Sequence, residues 1–126
     1  MNPGDIALVA AGAGIGGGLR FTLGTWIAER WGTTFPWHTL VINVSGSFLL
    51  GLLMTLSIDR GAVSPGWRLF LGVGVLGGYT TLSTLSYESV ALMERGLTMT
   101  GFLNIAGTVL AGLLAAWLGI VAGRAL

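Results

Sequence analysis

Residues 77–86 place two adjacent glycines and a run of hydroxyl side chains inside a stretch that is otherwise apolar. They read Gly-Gly-Tyr-Thr-Thr-Leu-Ser-Thr-Leu-Ser. A bilayer offers no water to backbone groups released by a broken helix, so such a break must be buried in protein or line a wet cavity. Because broken helices often hold ion or substrate sites, we predict an interruption at residues 77–80 and a transport site beside it.

Two asparagines lie within other apolar segments. Asn43 stands about one helical turn into the second segment. There it either hydrogen-bonds a neighbouring helix or points its amide N–H groups at a passing anion. Asn104, Thr108 and Gly112 are spaced by four residues and therefore share one helix face. This alignment favours a lined polar path over a threonine that only bonds its own helix.

Two ionisable residues, Arg20 and Glu88, also lie within apolar segments. Charges inside a membrane are costly and indicate function by default. Each side chain is consistent with one that reaches to the nearby membrane surface. The alternative is a wet vestibule, in which Arg20 would attract anions.

The side chains available suit a small ion. A strongly hydrated anion such as fluoride needs amide and hydroxyl donors, or the positive end of a helix, in place of water. A buried cation instead needs converging carbonyl oxygens, which an unwound helix supplies. An interruption at residues 77–80 would offer carbonyls on one side and helix-start N–H groups on the other.

The composition excludes most other classes of function. Of the 126 residues, 53% are hydrophobic and 9% are charged, against about 25% charged in a typical soluble domain. The chain must therefore be integral to a membrane. All six basic residues are arginines spread along the chain, which argues against a nucleic-acid surface. The absence of cysteine and of an acidic cluster leaves little for metal chemistry.

Four segments are apolar enough to span a membrane, which takes about 20 residues each. They cover residues 6–28, 39–58, 69–93 and 101–123, and we assign residues 1–126 to a single four-helix transmembrane domain. The arginines divide almost evenly between the two sides. This small difference in arginine count between the two sides has two explanations. Either it is chance in a small number of residues, or the chain inserts in both orientations and pairs as an antiparallel homodimer.

Glycines within these segments favour close helix packing. The pairs with the required spacing are Gly12/Gly16, Gly14/Gly18, Gly74/Gly78 and Gly119/Gly123. Four short spans can hardly enclose a pathway alone, so we expect a dimer.

The hydroxyl segment resembles the signature of the Fluc (CrcB) family of small fluoride channels. Two further segments are similar to that family: residues 16–20, and residues 39–46 with the sequence Thr-Leu-Val-Ile-Asn-Val-Ser-Gly. The resemblance covers essentially the whole chain. The resemblance implies an all-α membrane protein of four transmembrane helices. The third helix would be broken mid-membrane, and two copies would form an antiparallel dual-topology homodimer. It further implies passive fluoride export through two pores per dimer in the bacterial inner (plasma) membrane.

The resemblance also implies which residues carry the function. A central structural sodium ion (Na+) would be held by the backbone carbonyls of Gly77 and Thr80. The pore asparagine would be Asn43. The polar track and vestibule positions would be Ser83, Thr84, Thr108, Arg20 and Glu88. The expected partners are fluoride, a second copy of the chain and the lipid bilayer, with no nucleic acid.

Leu82 and Leu85 depart from the family, which usually carries phenylalanine at both positions. The edge of an aromatic ring is electropositive, whereas leucine offers an anion no such edge. We predict that the pathway is retained but conducts more slowly, or relies more on Asn43 and the hydroxyl track.

Other classes of protein are less well supported. A proton-coupled small multidrug transporter has the same length and dimeric arrangement, but it needs a membrane-embedded carboxylate. The first segment has none, because Glu29 lies at its edge. A non-conducting assembly protein would use the glycines for packing alone, which the patterned hydroxyls argue against. An enzyme is least favoured, since no nucleophile–base pair or metal cluster is visible.

Overall fold

The computed structural model describes residues 1–126 as helices joined by short turns. The first two helices are α1, Pro3–Trp31, and α2, Trp37–Asp59, of which Thr55–Asp59 is π-helical. Helix α3 combines Pro65–Arg68, the π-helical Leu69–Leu76 and the single turn Gly77–Tyr79. The last two helices are α4, Leu82–Glu94, and α5, Thr98–Ala125.

Local sequence signals set the ends of these helices. The Asn2 side chain accepts a hydrogen bond from the Gly4 N–H at 2.8 Å, and Pro3 takes the first helical position, where no N–H donor is needed. Glycines with positive φ follow three of the helices: Gly32 at 77°, Gly61 at 63° and Gly96 at 84°. Glycine adopts this left-handed conformation without the steric cost of a side chain.

The four predicted spans are confirmed as helices long and apolar enough to cross a membrane. They are Pro3–Trp31, Trp37–Asp59, Pro65–Glu94 and Thr98–Ala125, the third comprising α3 and α4. Each extends a few residues beyond the predicted apolar segment, because capping and charged residues continue the helix. Only 24 of the 126 residues are buried, so most of the apolar surface is left to contact lipid or protein.

Glycines bring two pairs of helices close together. Between α1 and α3, a Cβ atom on Gly12 would lie 2.6 Å from the Phe70 carbonyl oxygen. Between α2 and α5, a Cβ atom on Gly119 would collide with the Phe48 carbonyl oxygen. Gly14 and Gly18, which were also predicted to favour close packing, have no such neighbour within 4 Å.

Two extended residues, Thr80 and Thr81, separate α3 from α4. Their φ and ψ angles are −82° and 159° for Thr80, and −154° and 117° for Thr81. The glycines expected to interrupt the helix remain helical, within Gly77–Tyr79. Gly78 instead serves packing, because a Cβ atom there would lie 2.5 Å from the Ala13 carbonyl oxygen of α1. The non-helical residues are therefore 80 and 81 rather than 77–80.

Candidate functional site

Asn43 on α2 is hydrogen-bonded to the link between α3 and α4. Its Oδ1 accepts from the Thr81 N–H at 2.9 Å, and its Nδ2 donates to the Thr81 carbonyl at 3.2 Å. The same Nδ2 donates to the Thr39 carbonyl at 3.0 Å. Both amide hydrogens therefore have protein acceptors. In this structure Asn43 holds the extended link in place.

Thr81 caps the first turn of α4. Its Oγ1 accepts from the Thr84 N–H at 3.2 Å and donates to the Thr84 Oγ1 at 3.1 Å. The Ser83 Oγ lies 3.4 Å from the same Thr81 oxygen. Threonine is a common capping residue because its hydroxyl replaces a missing helical acceptor. The cap clusters three hydroxyl groups at the positive end of α4.

Two carbonyl oxygens at the link lack their helical partners. In a continuous helix the Gly77 carbonyl would accept from the Thr81 N–H, and the Thr80 carbonyl from the Thr84 N–H. Those N–H groups donate instead to Asn43 Oδ1 and to Thr81 Oγ1. Carbonyl oxygens are suitable ligands for hard cations. The chain contains no group of three or more His, Asp or Glu residues that could hold a metal, so a cation here would depend on such carbonyls.

Two hollows meet at Thr81. We call the first the groove; it has a volume of about 400 Å³ and opens between α2, α3, α4 and α5. The second, the Arg20 cavity, has a volume of about 280 Å³ and lies between α1, α2 and α4. Thr81 lines both hollows. Of the predicted site residues, all but Ser83 and Glu88 line one hollow or the other.

The groove collects most of the predicted site residues. They are Asn43, Gly77, Thr80, Leu82, Leu85 and Thr108. The two leucines differ in environment, because Leu82 is 75% exposed and Leu85 only 5%. The Thr108 Oγ1 is buried and has no hydrogen-bond partner. A polar atom in that condition is available to a ligand.

The Arg20 cavity collects the remaining polar positions. Arg20 and Thr84 line it, and Glu88 is bonded to two of its lining residues. The Glu88 Oε1 accepts from the Thr39 Oγ1 at 2.7 Å, and Oε2 lies 2.9 Å from the His38 Nε2. Glu88 is therefore held by donors from α2 beside the cavity. Ser83 lines neither hollow, although it contacts Thr81.

The polar stripe expected on α5 divides in two. Thr108 and Gly112 line the groove. Asn104 is fully buried and donates from Nδ2 to the Ser89 Oγ at 3.0 Å. Asn104 therefore joins α5 to α4 and does not line the groove.

Three residues that the structure places at the site were not among the predicted site residues, namely Thr81, His38 and Thr39. Thr81 does carry a signal, since threonine is a preferred residue at the N-terminal cap of a helix. The contacts of His38 and Thr39 with Glu88 join residues about 50 positions apart. No local pattern in the sequence indicates such a contact.

The chain matches a known protein family over most of its length. The family model described as CrcB-like protein, Camphor Resistance (CrcB), matches residues 7–120. The chain belongs to the CrcB family. The resemblance first seen in residues 77–86 is thereby confirmed.

Relatives from several bacteria match along nearly their whole length, and each carries the name Fluoride-specific ion channel FluC. The protein of Rhizobium meliloti is 45% identical over 121 residues, covering 96% of this chain and 97% of the relative. A protein of Thermus thermophilus is 50% identical over 119 residues, covering 94% and 93%. That of Paramagnetospirillum magneticum is 50% identical over 118 residues, covering 92% of each.

Family membership settles the broad class of the protein. CrcB relatives are ion channels by name, and the chain is not an enzyme. Four helices are long and apolar enough to cross a membrane. The chain is therefore a multi-pass membrane protein of an ion-channel family.

Proposed function

We propose that this protein is a fluoride-selective channel that exports fluoride passively across the bacterial inner membrane. The observation that carries the proposal is the position of Thr81, which lines both the Arg20 cavity and the groove and belongs to the cluster of hydroxyl groups at the start of α4. Fluoride is small and strongly hydrated, so its path must replace water with protein donors. The names of the bacterial relatives agree with this substrate.

The pathway runs from the Arg20 cavity past the cap of α4 and into the groove. Arg20 attracts the anion, and the hydroxyls of Thr81 and Thr84 take the place of its water, with Ser83 in contact with Thr81 outside both hollows. Thr108 supplies the buried and unpartnered hydroxyl in the groove. Asn43 contributes by holding the link that aims these donors.

The functional unit is an antiparallel homodimer with two pores, in which the interruption at Thr80 and Thr81 lies in mid-membrane. On a single chain the groove is open, and Leu82 within it is 75% exposed. Polar groups such as Asn43 and Thr80 line this groove, and lipid would leave them without partners. An inverted second copy closes the groove and gives each chain the same protected environment.

A structural sodium ion would be held by backbone carbonyls at the centre of the dimer. Each chain offers the Gly77 and Thr80 carbonyls, which have lost their helical donors. Two related copies together supply four neutral oxygens, a ligand set that suits a hard monovalent cation. The ion would tie the two interrupted helices together and would take no part in fluoride transfer.

Anion efflux from liposomes tests the channel proposal. Purified protein is reconstituted into vesicles loaded with fluoride or chloride, and efflux is started with valinomycin to balance charge. We expect rapid loss of fluoride and little loss of chloride, independent of any proton gradient. Equal loss of both halides would overturn the selectivity. Exchange of cationic drugs driven by a proton gradient would favour the multidrug transporter, which family membership does not support.

A further inference from the structure

His38 is the only histidine of the chain and lines the Arg20 cavity. Its Nε2 lies 2.9 Å from the Glu88 Oε2, and the two side chains are 23% and 19% exposed. Its Nδ1 is buried without a hydrogen-bond partner, as is the Nε of Arg20. The cavity is therefore lined by a histidine ring and an arginine, and the Glu88 carboxylate contacts the ring from outside the lining. The channel proposal assigns no role to the ring.

We propose that protonation of His38 converts the Arg20 cavity into an anion-binding site, so that fluoride uptake from the vestibule is favoured as pH falls. The inference concerns regulation of the proposed pathway, and its consequence for flux rests on the proposed function. The binding site itself does not depend on conduction.

The charge balance of the cavity supports this inference. Arg20 and His38 are the titratable side chains that line it; the other polar lining residues, from α1, α2, the turn before α2, and α4, are threonines. Glu88 of α4 reaches His38 from outside the lining. With neutral His38, the charges of Arg20 and Glu88 cancel. Protonation leaves a net charge of +1 beside the cavity.

The hydrogen bond between His38 and Glu88 is compatible with this change. A neutral ring donates its Nε2 hydrogen to the Glu88 carboxylate, which leaves the Nδ1 lone pair unpartnered. Protonation adds a hydrogen at Nδ1 and keeps the bond to Glu88. The added charge attracts an anion through the cavity without direct contact. Histidine is the side chain that most often serves as a pH-dependent switch in proteins.

Fluoride currents at two pH values test the proposal. The full-length protein is reconstituted into planar bilayers with non-saturating fluoride and the same pH on both sides. Current is measured because hydrogen fluoride leaks across lipid without carrying charge. We expect the current to be about threefold to tenfold larger at pH 6 than at pH 8, the effect of one partly screened charge.

The matched variant is His38→Gln. Its amide retains a donor for Glu88 but cannot become charged, so its current should be the same at pH 6 and pH 8. A measurable wild-type fluoride current that is equal at pH 6 and pH 8 overturns the proposal, as does a variant that keeps the wild-type ratio. Either result leaves the channel proposal intact.

Binding provides a second readout that requires no conduction. A single histidine makes the ring signal of His38 unambiguous in an NMR spectrum. Sodium fluoride is titrated at pH 6 and pH 8, with sodium gluconate keeping the ionic strength constant. We expect half-saturation at about threefold to tenfold lower fluoride at pH 6. Equal half-saturation would overturn the proposal. Protein that shows the pH-dependent binding but carries no current would overturn the channel proposal and support this one.

Discussion

Asn43 and Thr81 exchange two hydrogen bonds, at 2.9 and 3.2 Å, although they are separated by 38 positions in the chain. The bonds satisfy both backbone groups of an extended residue, which lipid cannot do. The Asn43 side chain thereby replaces the backbone hydrogen bonds that Thr81 would make in a continuous helix. It also leaves the Gly77 carbonyl free, so one side chain supports both the donor cluster and the carbonyl site.

Asn43→Ala should destabilise the protein and reduce fluoride flux. Alanine leaves the Thr81 N–H and carbonyl without partners, and each such loss costs about 1–3 kcal/mol. Thermal unfolding in detergent, alongside liposome efflux, measures both effects. Ser47→Ala is the matched control, because the Ser47 hydroxyl bonds only the Asn43 carbonyl of its own helix, at 2.7 Å. Equal destabilisation by the two variants would contradict the role given to Asn43.

Thr108→Val should lower fluoride flux about tenfold without lowering stability. Valine keeps the shape of threonine, and the Thr108 hydroxyl that it removes is buried and has no partner in the protein. Loss of one donor to an anion costs roughly 1.5–3 kcal/mol. The control is Thr22→Val, since the Thr22 hydroxyl bonds its own helix at Gly18 and lines neither hollow. A fluoride flux equal to that of the wild type in the Thr108 variant would show that Thr108 does not contribute to the pathway.

Gly16→Ala should disrupt the bundle, whereas Gly14→Ala should be tolerated. A Cβ atom on Gly16 would collide with the Val75 carbonyl oxygen and lie 2.9 Å from the Tyr79 backbone nitrogen. Overpacking against rigid backbone typically costs about 1–3 kcal/mol or more. A Cβ atom on Gly14 has no such neighbour within 4 Å. The two variants are compared by size-exclusion chromatography and thermal unfolding. Similar behaviour would show that α1 and α3 do not approach this closely.

Leu82→Phe should raise fluoride flux at little cost in stability. The side chain is 75% exposed in the groove, so a larger ring meets no packed core within the chain. Its electropositive edge offers the anion a contact that leucine lacks. Leu85 is only 5% exposed, so Leu85→Phe should destabilise the protein by about 1–3 kcal/mol. Efflux and unfolding of both single variants and the double variant test this. Unchanged flux in the double variant would argue against a lost ring contribution.

Sodium should stabilise the dimer in proportion to the logarithm of its concentration. A ligand that binds only the folded form raises stability by RT ln(1 + [L]/Kd). Thermal unfolding is compared in the chlorides of sodium, potassium and N-methylglucamine at the same ionic strength. We expect the highest midpoint in sodium and an intermediate one in potassium, which is too large for the same carbonyl set. Identical midpoints in all three salts would count against the carbonyl site.

Several features were predictable because they depend on residue type summed along a helix. Hydropathy predicted the four spans, and each is present as a helix with its ends moved by a few residues. The hydroxyl-rich residues 77–86 indicated the family that the whole-chain match later showed. Neither inference needs to know which helices touch.

Other features arise only in the tertiary structure, because they depend on distances between residues far apart in sequence. The glycines at 77 and 78 suggested the break, but the chain leaves the helix where Asn43 on another helix can bond Thr81. The sequence left two settings open for Glu88, and it did not indicate that α2 brings Thr39 and His38 within hydrogen-bonding distance of it. Buried polar groups need hydrogen-bond partners, and the packing of the helices determines which partners lie within reach.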